Sequence, residues 1–89
     1  MRLQMAKPWC AVIAATKDIA EIYLDAFGLS REMWAIYRHE DSLHGRLFDR
    51  IVVIRPHWRM DFEETARFER QITEHWRHRV ETGGHFKVI

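Results

Sequence analysis

Trp9-Cys10-Ala11-Val12-Ile13-Ala14-Ala15-Thr16-Lys17-Asp18 is the stretch whose reading decides the fold. Its first six residues form an unbroken apolar run. Such a run is typical of a strand covered on both faces, as in a parallel sheet. Thr16 offers a helix N-cap directly afterwards. From Lys17 to Phe27 the pattern is helical, with Ile19, Ile22, Tyr23, Ala26 and Phe27 on one stripe at spacings of three and four. Gly28 followed by Leu29 reads as a stop, a glycine in the left-handed position and then an apolar residue folding back. A strand that passes at once into a helix is half of a β-α-β unit.

Downstream, Met33 to Tyr37 reads as a second strand, and His39 to Gly45 as a polar connection anchored by Leu43 and broken at Gly45. Ile51 to Ile54 is the clearest strand in the chain, built from β-branched residues and ended by Pro56. Asp61 with Glu64 three residues later is a capping box and opens a long helix. Phe62, Ala66, Phe68, Ile72, Trp76 and Val80 would line its apolar side. Glu63, Arg67, Arg70, Glu74, Arg77 and His78 would face solvent, with Glu63–Arg67 and Arg77–Glu81 as pairs of opposite charge four apart. Glu69 falls inside the apolar stripe, so it is either paired at the edge of the core or reaches out to water. Gly83 and Gly84 read as the stop of this helix, after which His85 to Ile89 could add a terminal strand.

Alternation of strands with helices long enough for crossovers predicts an α/β fold. The expected architecture is a small, mainly parallel sheet of three to four strands in the order 2-1-3-4, with one helix on each face. The 89 residues suit a single domain, with residues 1–8 as a loosely ordered arm. Fourteen basic residues stand against 13 acidic ones for a net charge of +1, which argues against a dedicated polyanion binder. Cys10, the only cysteine, has no partner for an internal disulfide. It reads as a small apolar residue, since a nucleophile would need a base that the sequence does not place. Arg2 and Lys7 ahead of Trp9 to Ala15 superficially suggest a signal peptide. The run is short, with Pro8 behind it, and cleavage would remove the most strand-like segment. No run approaches the length of a membrane span, and a cytoplasmic protein without membrane contact is expected.

The turn after the first strand, Ala14-Ala15-Thr16-Lys17-Asp18, is where a nucleotide-binding protein would carry its phosphate loop. It holds neither G-x-x-x-x-G-K-S/T nor G-x-G-x-x-G. The third strand, Phe48 to Ile54, resembles a Walker B strand but runs into Arg55-Pro56 where metal-binding acids would stand. The topology therefore resembles half of a P-loop or flavodoxin-type domain without its catalytic groups.

A family resemblance attaches to Glu21-Ile22-Tyr23, Gly28-Leu29, Trp34-Ala35-Ile36-Tyr37, Leu43-His44-Gly45-Arg46 and Ile51 to Ile54. These motifs span about two-thirds of the chain by their periodicity, and their pattern resembles small α/β proteins of actinobacterial phages. They are scaffold motifs. The family has no assigned activity, so the resemblance implies a phage-type accessory protein and carries over no functional residue.

Six histidines raise the question of metal. His75 and His78 lie three apart and His39 and His44 flank a loop, but no four-ligand set is present, so no metal and no cofactor is expected. The paired acids Glu63-Glu64 suit the opening turn of a helix, Glu40-Asp41 a loop, and no Ser-His-Asp grouping is found. No catalytic residue is assigned, and an enzyme is not expected. His75-Trp76-Arg77-His78-Arg79 could hold nucleic acid, with Trp76 stacking on a base. Trp76 belongs instead to the apolar stripe, and glutamates dilute the charge.

The sharpest candidate is the corner at the carboxyl ends of the first and third strands, where the order 2-1-3-4 reverses and a crevice forms. Thr16 and Lys17 follow the first strand; Arg55, His57, Trp58 and Arg59 follow the third. Two helix N-termini also point there, which favours an anion. The competing reading is a solvated basic loop whose helix Asp61 already caps. Lys17, Arg55, His57, Trp58 and Arg59 are the expected binding residues. The expected function is non-enzymatic binding of a host or viral protein through this loop and exposed aromatics such as Trp34 or Trp58. The alternative is nucleic-acid or nucleotide-phosphate binding at the same corner. A terminal strand at a sheet edge can also pair with a second copy.

Overall fold

A computed structural model of the chain describes residues 7–89. Of the arm expected over 1–8, residues 1–6 lie outside the described residues. Lys7 and Pro8 are tied to the domain: the Lys7 ammonium lies 3.0 Å from Glu32, and Arg46 donates to the Pro8 carbonyl at 2.8 Å.

The elements are β1 (Cys10–Ala14), α1 (Lys17–Ala26), β2 (Trp34–Arg38), β3 (Phe48–Val53), α2 (Phe62–Glu74), a 3-10 turn (Trp76–Arg79) and β4 (Val80–Val88). The four strands form one sheet in the order β2-β1-β3-β4, parallel at every pairing. This is the α/β class and the strand order that the sequence predicts.

β1 explains why the core has two halves. Alternate residues of a strand point to opposite faces. Ala11 and Ile13 pack with Phe48, Ile51, Val53, Phe68, Ile72 and Trp76, among them the buried residues of α2. Val12 and Ala14 pack with Trp34, Val52 and the α1 residues Ala20 and Leu24. Leu43 joins the α2 side, so the β2–β3 connection runs over that face.

Thr16 caps α1 by accepting from the Ile19 N–H at 3.3 Å, and the Leu29 N–H returns to the Leu24 carbonyl at 2.8 Å beyond Gly28. The buried stripe of α1 differs from the expected one. Ala20 and Leu24 are buried, with Ile19 and Tyr23 partly covered, while Ile22 and Phe27 are 67% and 65% exposed. The buried stripe is rotated from the expected one and centres on Ala20 and Leu24, four apart on the helix.

The Asp61–Glu64 capping box is present, with the Asp61 carboxylate accepting from the Glu64 N–H at 2.8 Å. Phe62 nevertheless is exposed rather than core. The long helix also ends earlier than its periodicity suggests. Trp76 is buried as expected, but it sits in a 3-10 turn, and Val80 already belongs to β4. The expected helical pair Arg77–Glu81 therefore has no helix to sit on. Gly83 and Gly84 do not stop a helix either. They form a bulge within β4: Phe48 pairs with Val80 and Arg50 with His85, so two steps on β3 match five on β4. Gly83 has φ +86°, and a Cβ on Gly84 would collide with the Asp49 carbonyl and with Val80. The strand expected over 85–89 is real and begins earlier, at Val80.

Candidate functional site

At the carboxyl end of the sheet the chain leaves β2 through Arg38 and β3 through Ile54, on either side of β1. The His39 N–H donates to the Ala14 carbonyl at 3.0 Å, and the Ile54 N–H donates to Ile13 at 2.7 Å. The His39 side chain then spans the end of β1, placing Nε2 2.9 Å from the Ile54 carbonyl. A carbonyl only accepts, so Nε2 carries the proton and Nδ1 is left as an acceptor. The ring packs 5.3 Å from Phe68 and 5.6 Å from Trp76, which lie 5.7 Å from each other. Burial among these rings lowers the His39 pKa below its ordinary value. The Ile54 hydrogen bond and the nearby Glu40 oppose that shift without outweighing it. His39 is thus the neutral bridge between the ends of β2 and β3.

Over this bridge lies a cavity of about 290 Å³. Pro56, Trp58, Met60, Phe68 and Trp76 give it apolar walls, and His39, Arg67 and Gln71 add polar groups. Its volume sits at the lower end of ligand pockets, large enough for one bulky side chain or a small molecule. A second cavity of about 270 Å³ adjoins it, sharing Glu40, Gln71 and Trp76 and reaching His75 and Arg79. Asp41 fixes the loop between them. It accepts from the Arg38 N–H at 2.8 Å and from the Arg38 guanidinium at 3.3 Å, and these bonds hold its carboxyl below the usual carboxylate range.

Of the five expected site residues, Arg55, His57, Trp58 and Arg59 share the loop after β3, and all four are exposed. Trp58 alone among them lines the cavity, with 46% of its surface open. Its indole N–H donates to Glu64 at 3.2 Å, and His57 stands edge-on to it at 5.0 Å. The Arg55 guanidinium lies 3.4 Å from Glu69 and 5.8 Å from the Phe68 ring. Glu69 is thus paired with Arg55 and also open to water, its side chain 55% exposed. Lys17 opens α1 and is exposed, and no hydrogen bond, ion pair or ring contact among the described residues links it to the loop. Trp34, expected as an exposed aromatic beside Trp58, is only 8% exposed. It packs against α1 residues in the core, so it is not part of this surface.

Met60 and Gln71 are lining residues that the sequence does not single out, and His39 is noted there only as a flanking residue in the question of metal. Position at the carboxyl end of a strand flanking the switch point is the signal that could have found His39. Cys10 stands at the other end of β1. Burial, and after it the Asp49 carboxylate, raise its thiol pKa against the pull of Arg50, which keeps it protonated and weakly nucleophilic. Among the described residues no group of three or more His, Cys, Asp or Glu side chains is placed to hold a metal ion, and no helix is long and apolar enough to cross a membrane. Compared with family models, curated proteins and solved structures, the chain finds no match.

Proposed function

We propose that this domain is a non-enzymatic binding module, a phage-type accessory protein that acts in the host cytoplasm by holding a macromolecular partner, a host or viral protein, at the loop after β3. One observation carries the reading: Trp58 is half open at the mouth of a preformed, largely apolar cavity. A Trp fixed through its N–H, beside a pocket that takes one side chain, is the usual core of a protein–protein hot spot. The phage assignment rests on the sequence resemblance alone.

Nucleic acid or a nucleotide phosphate at the same corner is the second reading. The cluster of Arg55, His57 and Arg59 at the switch point favours it. Glu69 beside Arg55 and Glu64 beside Trp58 reduce the field that a phosphate would feel, so the protein reading is preferred.

Affinity capture from host lysate with the natural chain and with the Arg55, Trp58, Arg59→Ala triple variant tests both. The expected result is a retained protein that the triple variant loses while its circular dichroism is unchanged. Retention indifferent to the triple substitution overturns the protein reading. Oligonucleotide binding that falls steeply with salt would replace it by the second.

A further inference from the structure

We infer that the chain forms a two-fold dimer in which α1 of each copy covers the β3–β4 half of the other copy's sheet. The inference concerns the face opposite to the cavity of Trp58 and is independent of it. On that face α1 packs on β1 and β2. Between α1 and β4 lies an open groove of about 400 Å³, walled by Tyr23, Phe27 and Trp34 and floored by Arg50, His85 and Lys87. The register explains the floor. Arg50 is opposite His85, and Val52 is opposite Lys87, so three basic residues stand on one face of neighbouring strands. None of the three has a carboxylate partner among the described ion pairs.

The complement of this floor is on the chain itself. Asp18, Ile22 and Asp25 are spaced i, i+4 and i+7, one stripe of α1, turned away from the buried Ala20 and Leu24. All three are exposed, Asp18 and Asp25 have no cationic partner among the described ion pairs, and Ile22 stands between them. An acid-apolar-acid stripe thus lies on the same side of the sheet as a basic, apolar-walled groove. A two-fold axis parallel to the sheet lays each stripe on the other copy's groove, so every copy gives and receives the same contact and the assembly closes at two. The lengths agree. Ten helical residues span about 15 Å, and six strand residues about 20 Å. A standard interface takes about 800 Å² from each partner, a modest share of the chain's 6223 Å². Docked this way, Ile22 and Phe27 leave water, and four acids meet the two basic floors.

Two variants with opposite charge reversals test the arrangement. D18K/D25K inverts the stripe and R50E/K87E inverts the floor, all at exposed positions. Sedimentation of the natural chain over a concentration series should reach twice the 10.8 kDa of one chain. Each variant alone should dissociate at least on the order of ten-fold more readily, because both of its contacts become like-charged. Mixed one to one, the two variants should recover the dimer, since inverted stripe meets inverted floor and natural stripe meets natural floor. Circular dichroism of each variant controls for folding. A natural chain that stays at 10.8 kDa, a dimer indifferent to either reversal, or a mixture that stays dissociated overturns the inference. A monomer that instead binds poly-glutamate through Arg50 and Lys87 would assign the groove to an acidic partner.

Discussion

His39 shows how one side chain links the fold to a pH response. The folded protein holds it neutral, with its pKa lowered from 6.5 by burial. The unfolded chain takes up that proton as pH falls through the ordinary histidine range, and the folded chain takes it up only at lower pH. Stability from this residue is therefore complete above that range and is lost as pH drops through it towards the lowered value. The urea midpoint should fall between about pH 7.5 and 5.5, and His39→Gln should flatten that decline. Asp41 has the opposite sign of charge and a different window. Its lowered pKa contributes stability that is lost only in the acid range. Trp76, 2% exposed under the same ring cluster, heads the fully buried side chains by volume. Trp76→Ala should cost about 3–5 kcal/mol by thermal or denaturant unfolding, against a typical margin of about 5–15 kcal/mol. Arg55→Ala, which breaks only a solvated pair with Glu69, should cost under about 1 kcal/mol. Trp76 as core and Trp58 as surface were both legible in sequence: one sits on a helical stripe, the other between breakers and charges. Trp34 was not, because a strand residue's facing depends on which side receives the helix.

At the scale of elements, local signals decided the starts better than the ends. Thr16 and the Asp61–Glu64 box set their helices by side-chain hydrogen bonds that a four-residue window contains. Asp61→Ala should lower stability by about 1 kcal/mol, measured by urea unfolding. The end of α2 was hidden because Trp76 and Val80 continue the spacing of Phe68 and Ile72. What interrupts the helix is non-local: Val80 is taken by Phe48 of β3. The glycine pair then serves the bulge that realigns β4. Gly83→Ala forces a side chain into the left-handed region and should cost about 1–2 kcal/mol. Gly84→Ala should cost more, since its Cβ meets the Asp49 backbone. Hydrogen exchange of the β4 amides would report both as local opening at the 81–85 segment.

For the whole molecule, strand order and parallel direction followed from the alternation of apolar runs and helices, because crossover handedness leaves few topologies for so short a chain. Of the candidate corner, the sequence places the loop after β3 beside the switch point, but neither the separation of Lys17 from that loop nor the imidazole that bridges the corner. His39 reaches the corner from the β2–β3 connection, and its aromatic neighbours come from α2 and the turn after it. That meeting exists only once the sheet is assembled. The groove on the α1 face is hidden for a related reason, since its floor pairs Arg50 of β3 with His85 and Lys87 of β4 in a register that the bulge at Gly83 and Gly84 sets.

All four strands run parallel, so the described residues contain no hairpin. Cys10 pairs with Trp34 and with Arg50, and Phe48 with Val80, each across a long loop. No strand can find its neighbour by local zipping, and every pairing requires the closure of a large intervening segment. β1 and β3, the interior strands, each take part in two of these closures. Refolding after denaturant dilution should therefore be slow for a chain of this size. Val12→Ala, in the middle of β1, should retard folding itself, whereas trimming an α2 side chain such as Ile72 should chiefly hasten unfolding.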